Sequence, residues 1–95
     1  MLVTRPQAEN EITETALWYE AQRPGLGSEF LEAVHAAASL VQEAPAQYPR
    51  VHGDMRRVLL RRFPYMLIFE DLGDEIVVLA CIHGRRDPEV WQSRG

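Results

Sequence analysis

Apolar residues recur at helical spacing in the first half of this chain and at strand spacing in the second. Over residues 7–22, Ala8, Ile12, Ala16 and Tyr19 return every three or four positions, and Leu17 and Trp18 broaden the stripe. That spacing predicts an amphipathic helix. Thr4 is a suitable cap for it and Pro6 suits its first turn. Glu9, Glu11 and Glu14 lie toward its N-terminal end, where the helix dipole favours anions. "RPG" at 23–25 breaks the helix. A second stripe of Leu26, Phe30, Val34, Ala37 and Val41 predicts a helix over 26–44, ended by Pro45. The link between the two is so short that they should form an antiparallel hairpin. Ahead of them, "MLVTR" reads as a short strand.

Residues 45–54, "PAQYPRVHGD", read as a loop by composition. From Met55 the period shortens. Strand-like runs occupy 55–62 and 64–70, and "EIVVLACIH" at 75–83 is the most β-branched run in the chain. Gly73 centres a turn over 70–75, and one helical turn fits after Pro88. The predicted order is β-α-α-β-β-β. The expected fold is α+β, with the helical hairpin on one face of a three-stranded antiparallel meander and the N-terminal strand joined to an edge. No repeat or linker divides the chain, so residues 1–95 read as one domain.

Ninety-five residues build one modest core, since a domain of this size buries only about 60–70% of its unfolded surface. No apolar run is long enough to span a membrane. "MLVTRPQAENE" lacks the basic and apolar regions of a signal peptide. A single cysteine, Cys81, supports no internal disulfide framework. These features point to the cytoplasm.

Charge changes the picture more. The formal net charge is -4, with ten basic residues, all arginine. Residues 1–50 hold three arginines and seven acids, and residues 51–95 hold seven of each. An acidic balance argues against coating nucleic acid nonspecifically, but it leaves room for a local basic site. Arginine offers a planar fork to carboxylate or phosphate; a GC-rich genome accounts for the missing lysine equally well. The arginines concentrate in "RRVLLRRFPYMLIFE", where Arg56, Arg57, Arg61 and Arg62 bracket Val58, Leu59 and Leu60. Strand alternation puts Val58 and Leu60 toward the hairpin and projects Arg57 and Arg61 from the opposite face. Two such side chains stand roughly 7 Å apart, and Arg85 and Arg86 follow the last strand on what could be the same side. Solvated charges that protect an exposed sheet would look the same one by one. The convergence of pairs favours a binding patch of Arg57, Arg61, Arg85 and Arg86.

Other chemistry is sparse. His35, His52 and His83 show no ligand spacing with Cys81, so no metal or other cofactor is expected. Cys81 lies inside a strand and reads as core. "RRDP" reads as a turn with Asp87 bonding backbone. Trp18 and Tyr19 read as core or rim residues of the hairpin. Trp91 either folds the tail over the sheet or anchors a contact.

The order of elements resembles the RelE/ParE superfamily of toxins from type II toxin–antitoxin modules. The resemblance is carried by "ALWYEAQRPGLGSEFLEAV" across the hairpin, by Pro45, Tyr48 and Pro49, by "RRVLLRRFPYMLIFE" and by "CIHGRRDPEVW". It implies a toxin whose partner is a cognate antitoxin, typically an acidic amphipathic segment that folds on its toxin. The assembly is then a homodimer or a toxin–antitoxin hetero-oligomer. "GRRDPEVWQSR" looks more like the plasmid-stabilisation, ParE-like branch, which implies inhibition of DNA gyrase by binding. The alternative is a RelE-like, ribosome-dependent mRNA endoribonuclease with a site built from Arg57, Arg61, His83 and Arg85. In such nucleases, basic residues stabilise charge on the scissile phosphate beside a proton donor. Here Arg57 and Arg85 match basic positions, but Leu59, Met66 and Trp91 stand where a lysine, an arginine and a tyrosine are expected. A binding module without toxicity is the third implied reading.

Overall fold

The computed structural model describes residues 1–95. Its elements are β1 (Leu2–Thr4), α1 (Pro6–Gln22), α2 (Leu26–Glu43), a 3-10 turn (Pro45–Gln47), β2 (Arg50–His52), β3 (Met55–Leu59), β4 (Tyr65–Asp71), β5 (Ile76–His83) and α3 (Glu89–Gln92). The five strands form one mixed sheet in the order β1-β5-β4-β3-β2. β1 runs parallel to β5 at one edge, and the remaining neighbours are antiparallel. The expected α+β architecture is present, including the N-terminal strand at an edge.

Two local expectations need correction. Thr4 does not cap α1. It is taken up by β1 opposite Val78, and the Arg5 N–H continues the ladder to the Val78 carbonyl at 3.0 Å, so Arg5 becomes the cap residue. The segment 45–54 is not all loop, because Arg50–His52 pairs with β3 through a tight turn at Gly53, whose φ is 56°. Three residues between turn signals carry too little periodicity to register as a strand.

The helical hairpin is closed by a carboxylate. Glu20 of α1 accepts the Gly25 N–H at 3.0 Å and the Gly27 N–H at 3.0 Å, supplying acceptors to the otherwise open start of α2. Gly27 also lets the helices touch: a Cβ there would stand 2.6 Å from the Ala16 carbonyl oxygen.

The sheet separates two apolar layers. On the helix side, Ala8, Ala16, Phe30, Ala37 and Val41 meet Val58, Leu60, Phe63, Leu67, Phe69, Val78 and Cys81. On the other side, Met55, Met66, Ile68, Val77, Leu79, Ala80 and Ile82 lie beneath Trp91 of α3. A bulge allocates the residues of β5. Ile68 pairs with Ala80 and Phe69 with Val78, which leaves Leu79 as the extra residue. Leu79 and Ala80 consequently both serve the second layer, where strict alternation would have divided them.

Candidate functional site

The strand that carries the arginines ends sooner than its sequence suggests. β3 stops at Leu59, and the chain bends through 61–64 before β4. Leu60 and Phe63 both enter the core. To bury both within four residues, the backbone leaves the strand, and Arg62 takes a left-handed conformation with φ 70°. The Leu60 N–H closes the bend on the Tyr65 carbonyl at 2.9 Å. Arg61 therefore does not project beside Arg57. It lies with Arg62 against Glu29, Glu32 and Ala33, at the edge of α2.

Several arginines are committed to the fold. Arg56 donates to the carbonyls of Tyr48 at 2.6 Å and Ala46 at 3.4 Å, tying β3 to the 3-10 turn. Arg62 and Arg23 both reach Glu29, at 3.2 and 2.9 Å. Arg94 forms a fork on Glu11, at 2.9 and 3.0 Å, and also donates to the Leu79 carbonyl. The same Glu11 accepts the Cys81 N–H at 3.0 Å. β1 is too short to cover this part of the β5 edge, and the Glu11–Arg94 clasp covers it instead.

Arg57 and Arg86 meet on the sheet face away from the helices. They share a recess of about 350 Å³ with Arg50, Val51, Met66 and Trp91, and no carboxylate lines it. All three arginines are exposed. Trp91 is only 3% exposed, so it folds the tail over the sheet and offers no exposed anchor. Its indole N–H is buried without an acceptor. An unmet buried donor of this kind costs about 1–3 kcal/mol.

Arg85 belongs to a separate recess of about 250 Å³ with Leu59, Tyr65 and His83. His83 accepts the Arg85 backbone N–H through Nδ1 at 3.0 Å, which places the proton of the neutral ring on Nε2. Its ring lies 5.3 Å from that of Tyr65. Arg57, Arg61, His83 and Arg85 are thus distributed over three recesses and not gathered around one phosphate-sized space.

The chain matches the family model of the ParE toxin of type II toxin–antitoxin system, parDE, over residues 2–88. It belongs to that family. No curated protein matches its sequence. A solved structure of the chromosomal ParDE TA system from P. aeruginosa contains a chain of the same fold, with a TM-score of 0.76 and 19% sequence identity. The match covers 86% of this chain and 92% of that one.

Against the ParE frame, the remaining side chains find their places. Leu59 is 60% exposed and brings no charge to the sheet face, and Met66 is buried beneath it. Burial, and then the Glu11 carboxylate, push the Cys81 thiol up to about 12, so it is no nucleophile at neutral pH. Burial, followed by neighbouring Tyr65, also raises the Tyr19 hydroxyl above its usual range. No three His, Cys, Asp or Glu side chains come together to hold a metal. No helix is long and apolar enough to cross a membrane.

Sequence reasoning missed Arg50, because its strand was read as loop. It also missed the Glu11–Arg94 clasp, which joins residues 83 positions apart. A further feature had a visible signal: Leu17 lies off the regular α1 stripe. It is exposed together with Leu31 beside Gly27, in an apolar groove between the two helices.

Proposed function

We propose that this chain is the toxin of a type II module, neutralised in the cytoplasm by a cognate antitoxin, and that it acts by binding DNA gyrase without cutting RNA. The observation that carries the choice is the dispersal of the nuclease candidates. Cleavage of a phosphodiester needs a proton donor and charge-stabilising groups around one atom. Arg57 and Arg61 stand in recesses apart from each other and from the one that His83 and Arg85 share. The sheet face offers Met66 and a buried indole where a nuclease would keep a cation and a hydroxyl. What remains there is a basic surface of Arg50, Arg57 and Arg86 suited to an acidic protein, while Arg61 and Arg85 lie outside it in recesses of their own. The apolar groove at Leu17 and Leu31 offers a second surface to the antitoxin, which would yield a toxin–antitoxin hetero-oligomer.

Expression in bacteria tests the proposal. The expected result is an SOS response with broken DNA, and loss of supercoiling when purified protein is added to gyrase. Cleaved transcripts on translating ribosomes, abolished by Arg85→Ala, would establish the nuclease reading instead.

A further inference from the structure

Helix α3 closes an apolar layer without a backbone bond to the sheet. Beyond Gly84 the main-chain hydrogen bonds are local: Arg86 to His83, Val90 to Asp87, Trp91 and Gln92 to Pro88, and Arg94 to Trp91. Two side chains hold the segment in place. Trp91 is 3% exposed and packs in the layer of Met66, Ile68 and Leu79. Arg94 is forked on Glu11 and donates to the Leu79 carbonyl. A helix of one turn has no stability of its own, so α3 goes where these two anchors go.

The link behind it is open. Residues 84–88 are all exposed. The last main-chain bond to the body of the fold is from the Gly84 N–H to the Pro64 carbonyl, at 2.9 Å. Arg85, Arg86 and Asp87 enter no ion pair. Fully extended, these five residues reach about 17 Å. The surface beneath α3 is different, because it cannot stand bare. Without Trp91 over it, the layer of Met55, Met66, Ile68, Val77, Leu79 and Ile82 meets water as one apolar patch. Every copy of the chain carries both that surface and the segment that fits it.

We infer that α3 is an exchangeable clasp, and that two copies of this chain pair by trading it. Trp91 of each copy closes the second layer of the other. Arg94 of each copy forks on Glu11 of the other and takes the open β5 edge at Leu79. The contacts of the closed chain are all kept, now between chains. Exchange therefore costs only the rearrangement of 84–88 and the motion lost on association. The pairing is two-fold and closes on itself, so it yields a dimer and not a filament. It is independent of what the toxin binds.

Charge reversal at the clasp supplies the test. Glu11→Arg and Arg94→Glu each set like charges against one another within a closed chain. In an exchanged pair of the two variants, both clasps regain opposite charges: Arg94 of the first meets Glu11 of the second, and the two introduced residues meet each other. Each variant alone should run as a monomer by light scattering, with Trp91 emission shifted to the red. Mixed in equal amounts they should form a dimer, and the emission should return to the blue. The wild-type chain should show the same dimer in a share that rises with concentration. A mixture that keeps the mass of its separate variants, or a wild-type chain that is monomeric at every concentration, would overturn the inference. A second variant covers the case in which charge reversal unfolds the chain. Deleting Arg85 and Arg86 shortens the link, so α3 no longer reaches its own seat and the protein should be dimeric throughout. A shortened chain that stays monomeric, folded or not, would overturn the inference as well.

Discussion

Glu29 holds two guanidinium groups from different parts of the chain, Arg23 beside the helical link and Arg62 in the bend before β4. Hydrogen bonds from Arg23, and then from Arg62, lower its carboxyl below the ordinary carboxylate value. The unfolded chain lacks both partners. A carboxylate with a depressed folded pKa adds stability above its unfolded value and loses it as pH falls through the folded value. Protonation of Glu29 should therefore weaken the tie between α2 and the left-handed turn at Arg62 as pH falls below the ordinary glutamate range. The pair is exposed, so its contribution is small and screened by salt. The expected outcome is that Glu29→Gln flattens the acid side of the stability–pH curve in low salt, lying slightly below the wild type at neutral pH and converging with it in acid. Urea midpoints measured across the acid range for both proteins check it; parallel curves would show that Glu29 takes no part. None of this was legible in the sequence. Glu29 lies off the apolar stripe of α2 with nothing in the sequence to mark it, and Arg62 read as one of four strand arginines. Their meeting depends on where Leu60 and Phe63 find room in the core.

At the scale of elements, the helices were the most legible part of the chain. Their stripes run over four turns, and Pro6, "RPG" and Pro45 mark their ends. The short edge strand β2 was not legible, because its three residues lie among turn formers. The basic recess is assembled from β2, β3 and the segment after β5, so no local pattern could announce it. The tail has the same character. α3 is a single turn, too short to hold itself, and it stays over the sheet because Arg94 reaches Glu11 and the Leu79 carbonyl. Hydrogen bonds to charged groups contribute about 1.5–3 kcal/mol when partly buried. Arg94→Ala should remove roughly that much and loosen the tail. The indole of Trp91 would then meet water, and its fluorescence should move to the red under native conditions while far-ultraviolet dichroism stays unchanged. An unshifted emission spectrum in a folded Arg94→Ala variant would show that the apolar contacts of Trp91 hold the tail unaided.

For the whole molecule, stability rests on how a small chain serves two layers with one sheet. The second layer is closed by a single turn of helix, whereas the first is closed by two long helices. The first layer should therefore dominate, and Phe30 is its centre. Phe30 is fully buried on α2 and lies 5.4 Å from Tyr19 of α1, 5.3 Å from Phe63 in the bend and 5.6 Å from Tyr65 of β4, ring centre to ring centre. It joins the hairpin to the segment that steers the arginines. Removing a buried phenylalanine typically costs about 3–5 kcal/mol, and small domains hold only about 5–15 kcal/mol in total. For a domain of this size, each kcal/mol moves the melting temperature by roughly 4–8 °C. Phe30→Ala should accordingly lower Tm by at least about 12 °C on that scale, or leave no folded state at 37 °C. Leu60→Ala, on the strand side of the same layer, should follow with about 2–5 kcal/mol. Leu40→Ala, at an exposed position of α2, serves as the control and should change little. Thermal melts of the three variants decide the matter. Should Phe30→Ala melt with the wild type, the weight of the fold would lie in the Trp91 layer, and the basic recess would be part of the core's own support.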